Sequence, residues 1–195
     1  MSGNTPDLLA AATRAFERYG YAGATLERIA GEANLSRVTL HRRGVTKDGL
    51  LAELVARATE DFRDELWPAL TSEGSGADRL ERALRGLCAV AERHLALLVA
   101  LRSQSDSVFH RERGEEADTR SVFTEPFVKL LHDGIADRSL REVDPTETAT
   151  VLFNLIGWGY VHLRSGHGWS PERAEASVLD PVLNGLRAAS PVAAP

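Results

Sequence analysis

Between Thr25 and Arg43 the chain holds two short helical segments, each opened by a hydroxyl residue that can cap it, and only Ala33, Asn34 and Leu35 stand between them. So short a junction forces a sharp corner. Asn34 tolerates the left-handed conformation that such a corner requires, and Leu35 is placed to plug it. The first segment, Thr25 to Glu32, has Leu26, Ile29, Ala30 and Ala33 on its buried side, and the second, Ser36 to Arg43, follows at once. A longer helix precedes both. Thr5 can cap it, Pro6 suits its first turn and Asp7 its positive end. Leu8, Leu9, Ala12, Ala15, Phe16 and Tyr19 recur at helical spacing, and Gly20 stops it. A long helix followed by two short ones across a tight turn matches a helix-turn-helix unit.

Charge follows the same division. Residues 1–51 set Arg14, Arg18, Arg28, Arg37, Arg42, Arg43 and Lys47 against Asp7, Glu17, Glu27, Glu32 and Asp48, a net of +2 in a chain whose total is -5, which leaves -7 for the rest. An amino-terminal segment of opposite sign to the remainder is expected where one end meets polyanionic DNA. At 43% hydrophobic and 26% charged residues, the chain is neither a disordered polymer nor a membrane protein, and 195 residues suffice for a real core. The one cysteine, Cys88, leaves no disulfide to form within the chain, so a stapled secreted scaffold is excluded. The start of the sequence lacks the basic and apolar stretches of a signal peptide, and no run approaches the ~18 apolar residues that span a bilayer. The expected location is the cytoplasm, with no membrane partner.

Beyond Thr46, a cap, the periodicity predicts a long helix from Lys47 to about Leu66 through Leu50, Leu51, Leu54, Val55, Ala58 and Phe62, ended by Trp67-Pro68. Residues 72–76 read as a loop. Leu80, Leu84, Leu87, Ala91, Leu95, Leu98 and Leu101 then mark helical turns that divide near Arg93. A further helix, Glu115 to Ala136, turns Val122, Phe123, Phe127, Leu130, Leu131 and Ile135 inward, with Pro126 bending it or marking a late start. Asp144-Pro145-Thr146-Glu147 is a strong helix start. The segment it opens, Thr148 to Leu163, is apolar around most of its circumference, and such a helix must be covered on all sides. The last helix, kinked or restarted at Asp180-Pro181, is the second apolar surface. A homodimer explains both, through Leu152, Leu155, Ile156, Gly159 and Leu163 of one helix and Val178, Leu179, Val182, Leu183 and Leu186 of the other. The fold expected is all-α, with an N-terminal three-helix helix-turn-helix domain (1–51) joined by a long helix to a C-terminal helical domain (52–189) and a tail (190–195).

The N-terminal residues carry more than a pattern. Leu8-Leu9-Ala10-Ala11-Ala12, Phe16, Tyr19 through Ala30, Ala33 through Ser36, Thr39-Leu40 and Lys47-Asp48-Gly49-Leu50-Leu51, in this order, resemble the DNA-binding segment of TetR-family (tetracycline-repressor-like) transcriptional regulators. That family usually has glycine at the place of Asn34, tyrosine at that of His41 and a bulky aromatic at that of Gly44. The last difference predicts a missing core side chain that Val45 partly replaces. The resemblance implies an intersubunit four-helix bundle from the last two helices. It also implies a repressor that a small-molecule effector releases from a pseudo-palindromic operator in double-stranded DNA.

In a helix-turn-helix unit the second short helix enters the major groove with its early residues facing base edges. Arg37 and Thr39 are the base-contact candidates, Val38 can touch a thymine methyl, and Arg42 serves bases or backbone. By the resemblance, Thr25, Ser36, His41 and Lys47 hold phosphates. Leu35 and Leu40 belong to the core. For an effector cavity the larger side chains Trp67, Phe109, Phe123, Phe127, Trp158 and Tyr160, with His94 and Gln104, are the candidates, and ordinary core packing explains each as well. Asp106 and His110 could share a helix face, but no third ligand is set by the spacing, so no metal or cofactor is expected. His132, His162 and His167 show no catalytic spacing, and no Ser/His/Asp order, glycine-rich phosphate loop or HExxH pattern is present. An enzyme is not expected. Cys88 reads as a small core residue. A helical dimer that binds a small molecule or a protein without recognising DNA remains the alternative.

Overall fold

The computed structural model describes residues 5–102 and 116–188. Among these it forms nine helices: α1 (Thr5–Gly23), α2 (Leu26–Glu32), α3 (Arg37–Arg42), α4 (Lys47–Thr71), α5 (Gly76–Arg93), α6 (Leu95–Leu101), α7 (Glu116–Ala136), α8 (Pro145–His167) and α9 (Pro171–Leu186). The class is all-α. One isolated bridge, Leu140 to Arg187, is the only extended pairing among the described residues. None of their helices is long and apolar enough to cross a membrane. The expected tail, 190–195, lies outside the described residues.

The chain forms two compact units, and it passes from one to the other between Asp61 and Phe62, inside α4, and again between Arg93 and His94. In the first unit, α1 buries Leu8, Leu9, Ala12, Ala15 and Phe16. It breaks at Gly20, whose φ of +65° is available to a residue without a Cβ. Ile29 and Ala30 of α2, Leu40 of α3 and Leu50, Leu51 and Leu54 of α4 close the same core. So do Leu97, Ala100 and Leu101 of α6, although the periodicity assigned everything after Leu51 to a second domain. Leu54, Val55 and Ala58 continue the stripe begun by Leu50, so α4 stays in this core past Leu51, while α6 joins it by packing against α1, far away in sequence.

The second unit is built on α5, α7, α8 and α9, with Phe62, Leu66 and Ala69 of α4. Here α4 runs past Trp67-Pro68 to Thr71, correcting the expected end. Pro68 and Asp64, whose carbonyl loses its helical donor, are both exposed, so water can serve that carbonyl. Pro126 and Pro181 likewise sit inside continuous helices, with no late start in α7 and no restart in α9. The start of α5 lies against the end of α7 so closely that a Cβ on Gly76 would fall 2.2 Å from the Gly134 nitrogen. The Gly76 amide donates to Asp137 Oδ2 at 2.6 Å and the Ala77 amide to Ser139 Oγ at 2.9 Å, which satisfies two donors that a helix start leaves open.

α8 opens as its sequence predicts, with Asp144 Oδ1 accepting from the Glu147 amide at 2.8 Å and Pro145 in the first turn. It closes at Gly168, φ +63°. Its apolar circumference divides into two faces. Leu152, Ile156, Tyr160 and Val161 are buried inside the subunit, as are Leu179, Leu183 and Leu186 of α9. Leu152, Ile156, Leu179, Leu183 and Leu186, expected at a dimer face, are thus packed within the subunit. What α8 turns outward is Val151, 58% exposed, and Leu155, 53% exposed; Gly159, Leu163, Val178 and Val182 are half-buried. Periodicity shows that a helix is apolar all round, but which side its own subunit consumes depends on helices distant in sequence.

Candidate nucleic-acid interface

The site is assembled from short-range bonds. Thr25 Oγ1 accepts from the Arg28 amide at 3.3 Å and caps α2. Asn34 adopts the left-handed conformation, φ +53°, and the Leu35 amide returns to the Ala30 carbonyl at 2.9 Å. Ser36 Oγ accepts from the Thr39 amide at 3.1 Å and lies 2.8 Å from the Thr39 hydroxyl, so both hydroxyls are engaged at the start of α3. The corner is the one that the sequence predicts.

At the far end of α3, the Val45 amide donates to the Leu40 carbonyl at 3.1 Å and the Gly44 amide to the His41 carbonyl at 3.0 Å. This is the paired-bond C-terminal motif in which the residue at the place of Gly44 must be left-handed, and Gly44 has φ +67°. Gly44 is exposed and a Cβ there would meet nothing within 4 Å, so the glycine leaves no hole in the core at that atom. That corrects the expected loss. Val45 is half-buried against the core of the unit. A glycine here ends α3 sharply and holds its last turn.

With Leu40 fully buried, the helical period turns the rest of α3 outward. Arg37, His41 and Arg42 are exposed, Val38 is 66% exposed, and Thr39 is half-buried. The side chains of Arg37, Arg42 and the capping Arg43 have no hydrogen-bond or ion-pair partner among the described residues. Elsewhere in this unit arginines are occupied: Arg14 and Arg18 hold Glu32, and Arg28 donates to the Gly23 carbonyl at 2.6 Å while lying over the Tyr19 ring. Lys47 is half-buried, donates to the Tyr21 carbonyl at 3.0 Å and sits 4.2 Å from the centre of the Tyr21 ring, whose hydroxyl bonds to Asp48. This tie between the end of α1 and the start of α4 is invisible to helical periodicity. Arg43, outside the predicted set, is exposed because it stands past the end of α3.

The residues predicted for an effector cavity scatter. Phe123 and Phe127 join Phe62 and Phe153 in one aromatic cluster, with Phe62 centred 5.3 Å from Phe123 and 6.2 Å from both Phe127 and Phe153. Phe62 and Phe153 were legible only as positions on apolar helices. Tyr160 is buried and donates to Glu92 Oε2 at 2.9 Å; Arg164 binds the same carboxylate at 2.8 and 2.7 Å. The Arg164 guanidinium, with the Tyr160 hydroxyl, holds the Glu92 carboxyl below the ordinary carboxylate range, and burial beside Glu92 pushes the Tyr160 hydroxyl up. Trp158 is half-buried. Trp67 is 65% exposed, because Leu66 and Ala69 take the inner face of α4. His94 belongs to the other unit, where its Nε2 lies 2.8 Å from Asp61 Oδ2. Gln104, Asp106, Phe109 and His110 lie outside the described residues. Cys88 is buried, and burial pushes its thiol up to about 12, so it carries no reactive thiolate near neutral pH. Among the described residues no three metal-ligating side chains come together.

Comparison with known proteins agrees at both ends of the chain. Residues 8–54 match the family described as bacterial regulatory proteins, tetR family, and residues 73–186 match the tetracyclin repressor-like C-terminal domain. An HTH-type transcriptional regulator of Bacillus subtilis, YhgD, is 22% identical over 76% of this chain and 78% of its own. The ketosteroid transcriptional regulator KstR2 of Mycobacterium tuberculosis superposes with a TM-score of 0.80 at 19% identity, covering 97% of each chain. AibR, solved with isovaleryl coenzyme A and operator DNA, gives 0.68 at 15% identity over 92% of this chain and 96% of its own.

Proposed function

The chain belongs to the TetR family and is a DNA-binding transcriptional regulator, and from that premise we propose that it is a homodimeric repressor, released from a pseudo-palindromic operator by a small-molecule effector. The observation that carries the reading is the face of α3: cations without partners, on a helix whose two ends are capped and whose inner residue is sealed in the core. Arg37, Val38, Thr39 and Arg42 read bases, while Thr25, Ser36, His41 and Lys47 approach phosphates, Lys47 on release from the Tyr21 carbonyl. Two such units meet half-sites whose centres are about 34–36 Å apart.

The dimer is supported by the apolar side chains that α8 leaves outside, Val151 and Leu155, rather than by the buried leucines. Changing Leu155 to Glu leaves the subunit folded and shifts it to a monomer in sedimentation analysis, with operator affinity lost alongside. For the effector, the cluster of Phe62, Phe123, Phe127 and Phe153 favours a molecule with an apolar body. The acyl coenzyme A recorded with AibR and the ketosteroid in the name of KstR2 are of that kind. Phe62 lies on the same helix as Lys47. An effector that binds one state better and shifts Phe62 thereby moves the start of α4. Equal half-site spacing in free and effector-bound dimers would refute this lever.

The test is selection of genomic fragments by the purified protein, followed by titration of the best fragment at two salt concentrations. One enriched pseudo-palindrome, bound far more tightly than random DNA and weakened by salt, is the expected result. Equal binding of all fragments would overturn the reading in favour of a dimer that no longer recognises DNA.

A further inference from the structure

Val38 is the most exposed large hydrophobic side chain among the described residues, and its own unit makes no use of it. Leu40 supplies the buried contact of α3, Ser36 and Gly44 supply its ends, and a β-branched residue is a poorer helix former than alanine at an exposed position. Its surroundings are not those of an apolar docking patch. Arg37 precedes it, Arg42 follows one helical turn later on the same face, and neither has a partner among the described residues. An apolar side chain held between unpaired cations matches a surface that is anionic overall and offers isolated methyl groups. The major groove is such a surface, since its thymines project a C5-methyl among hydrogen-bonding base edges.

We propose that Val38 is a specificity-determining residue that reads a pyrimidine C5-methyl group, and that Arg42 reads a guanine close by, so that each half-site contains a thymine and a guanine near one another. Residues one turn apart are separated by about 6 Å along the helix, and base pairs by about 3.4 Å, which places the guanine within about two steps of the thymine. The exposed residues of α3 include no carboxylate to accept from cytosine and no Asn or Gln to pair with adenine, so the C5-methyl is the thymine feature that Val38 is placed to read. The inference rests on the regulator reading.

The test uses random duplex libraries made with thymidine or with deoxyuridine, which removes the C5-methyl and leaves every base-pairing group. The full chain selects from both, and single deoxyuridines are then placed in the duplex enriched from the thymidine library. The expected result is one position per half-site at which deoxyuridine weakens binding about fourfold, the equivalent of one buried methyl. Val38→Ala weakens binding of the thymidine duplex by a similar factor, is indifferent to deoxyuridine at that position, and melts as the parent does. An enriched duplex whose thymines can all be replaced without loss, or a Val38→Ala protein as sensitive to deoxyuridine as the parent, overturns the inference and leaves the regulator reading intact. Enrichment from neither library overturns both.

Discussion

Arginine does opposite work in two regions of this molecule. In the second unit Arg79 holds Asp133, Arg85 holds Glu81 and Glu175, Arg93 holds Glu65, Arg164 holds Glu92 and Arg187 holds Glu81. On α3 of the first, Arg37, Arg42 and Arg43 hold nothing among the described residues. The same side chain is a strut in one place and an open valence in the other. What differs is whether a carboxylate stands within reach: α3 has no acidic residue, while the helices of the second unit place acids one turn away or on a facing helix. Unpaired guanidinium groups confer no stability on the subunit and remain available to phosphates and guanines.

That contrast can be broken at several points. The largest effect is expected where the struts meet. Gly76→Ala drives a Cβ into the backbone at Gly134, which cannot yield as a flexible side chain can, and calorimetry should show a stability loss of about 3 kcal/mol or more. Next, Arg37→Ala and Arg42→Ala should each reduce affinity for the selected operator by roughly tenfold to a hundredfold, or about 1–3 kcal/mol, with no change in the melting temperature. Melting that falls with affinity would show that these arginines are struts after all.

Arg164→Ala tests the other side. It leaves Glu92 half-buried without its cation and should lower stability by about 1–3 kcal/mol. The Glu92 carboxyl is held low in the folded protein, so its contribution is fully present above its unfolded pKa and is lost as pH falls through the folded value. Asp133 behaves alike, held low first by Lys129 and then by Arg79. Thermal melts from neutral pH to about pH 3 should therefore decline for the parent and decline less for Arg164→Ala. The smallest effect is that of Arg43→Ala, which should weaken binding evenly across DNA sequences and lower the salt slope by about 1.

Helix starts were the most legible feature of the chain, because a cap acts within three residues of itself. Thr25, Ser36 and Asp144 each accept from the amide three residues on. The prolines were less so. Pro68 reads as a stop, yet whether it ends α4 depends on what supports the next turn, and Ala69 is anchored in the core. Gly44 shows the same limit at a site residue: the family pattern marks a missing aromatic, while the backbone assigns a left-handed cap. The aromatic cluster was half visible, since Phe123 and Phe127 share α7 but Phe62 and Phe153 come from helices far away in sequence.

The helical class, the place where most helices begin, the tight corner between α2 and α3, and the basic residues on α3 can all be read from the amino-acid order. All of these follow from interactions between residues no more than a turn or two apart. Which leucines of α8 and α9 the subunit keeps for its own core, that α6 belongs with the first unit, and which arginines are spent on carboxylates emerge with the packing of distant helices. Those outcomes depend on partners such as Arg187 and Glu81, which are brought together only by folding. No local period encodes them.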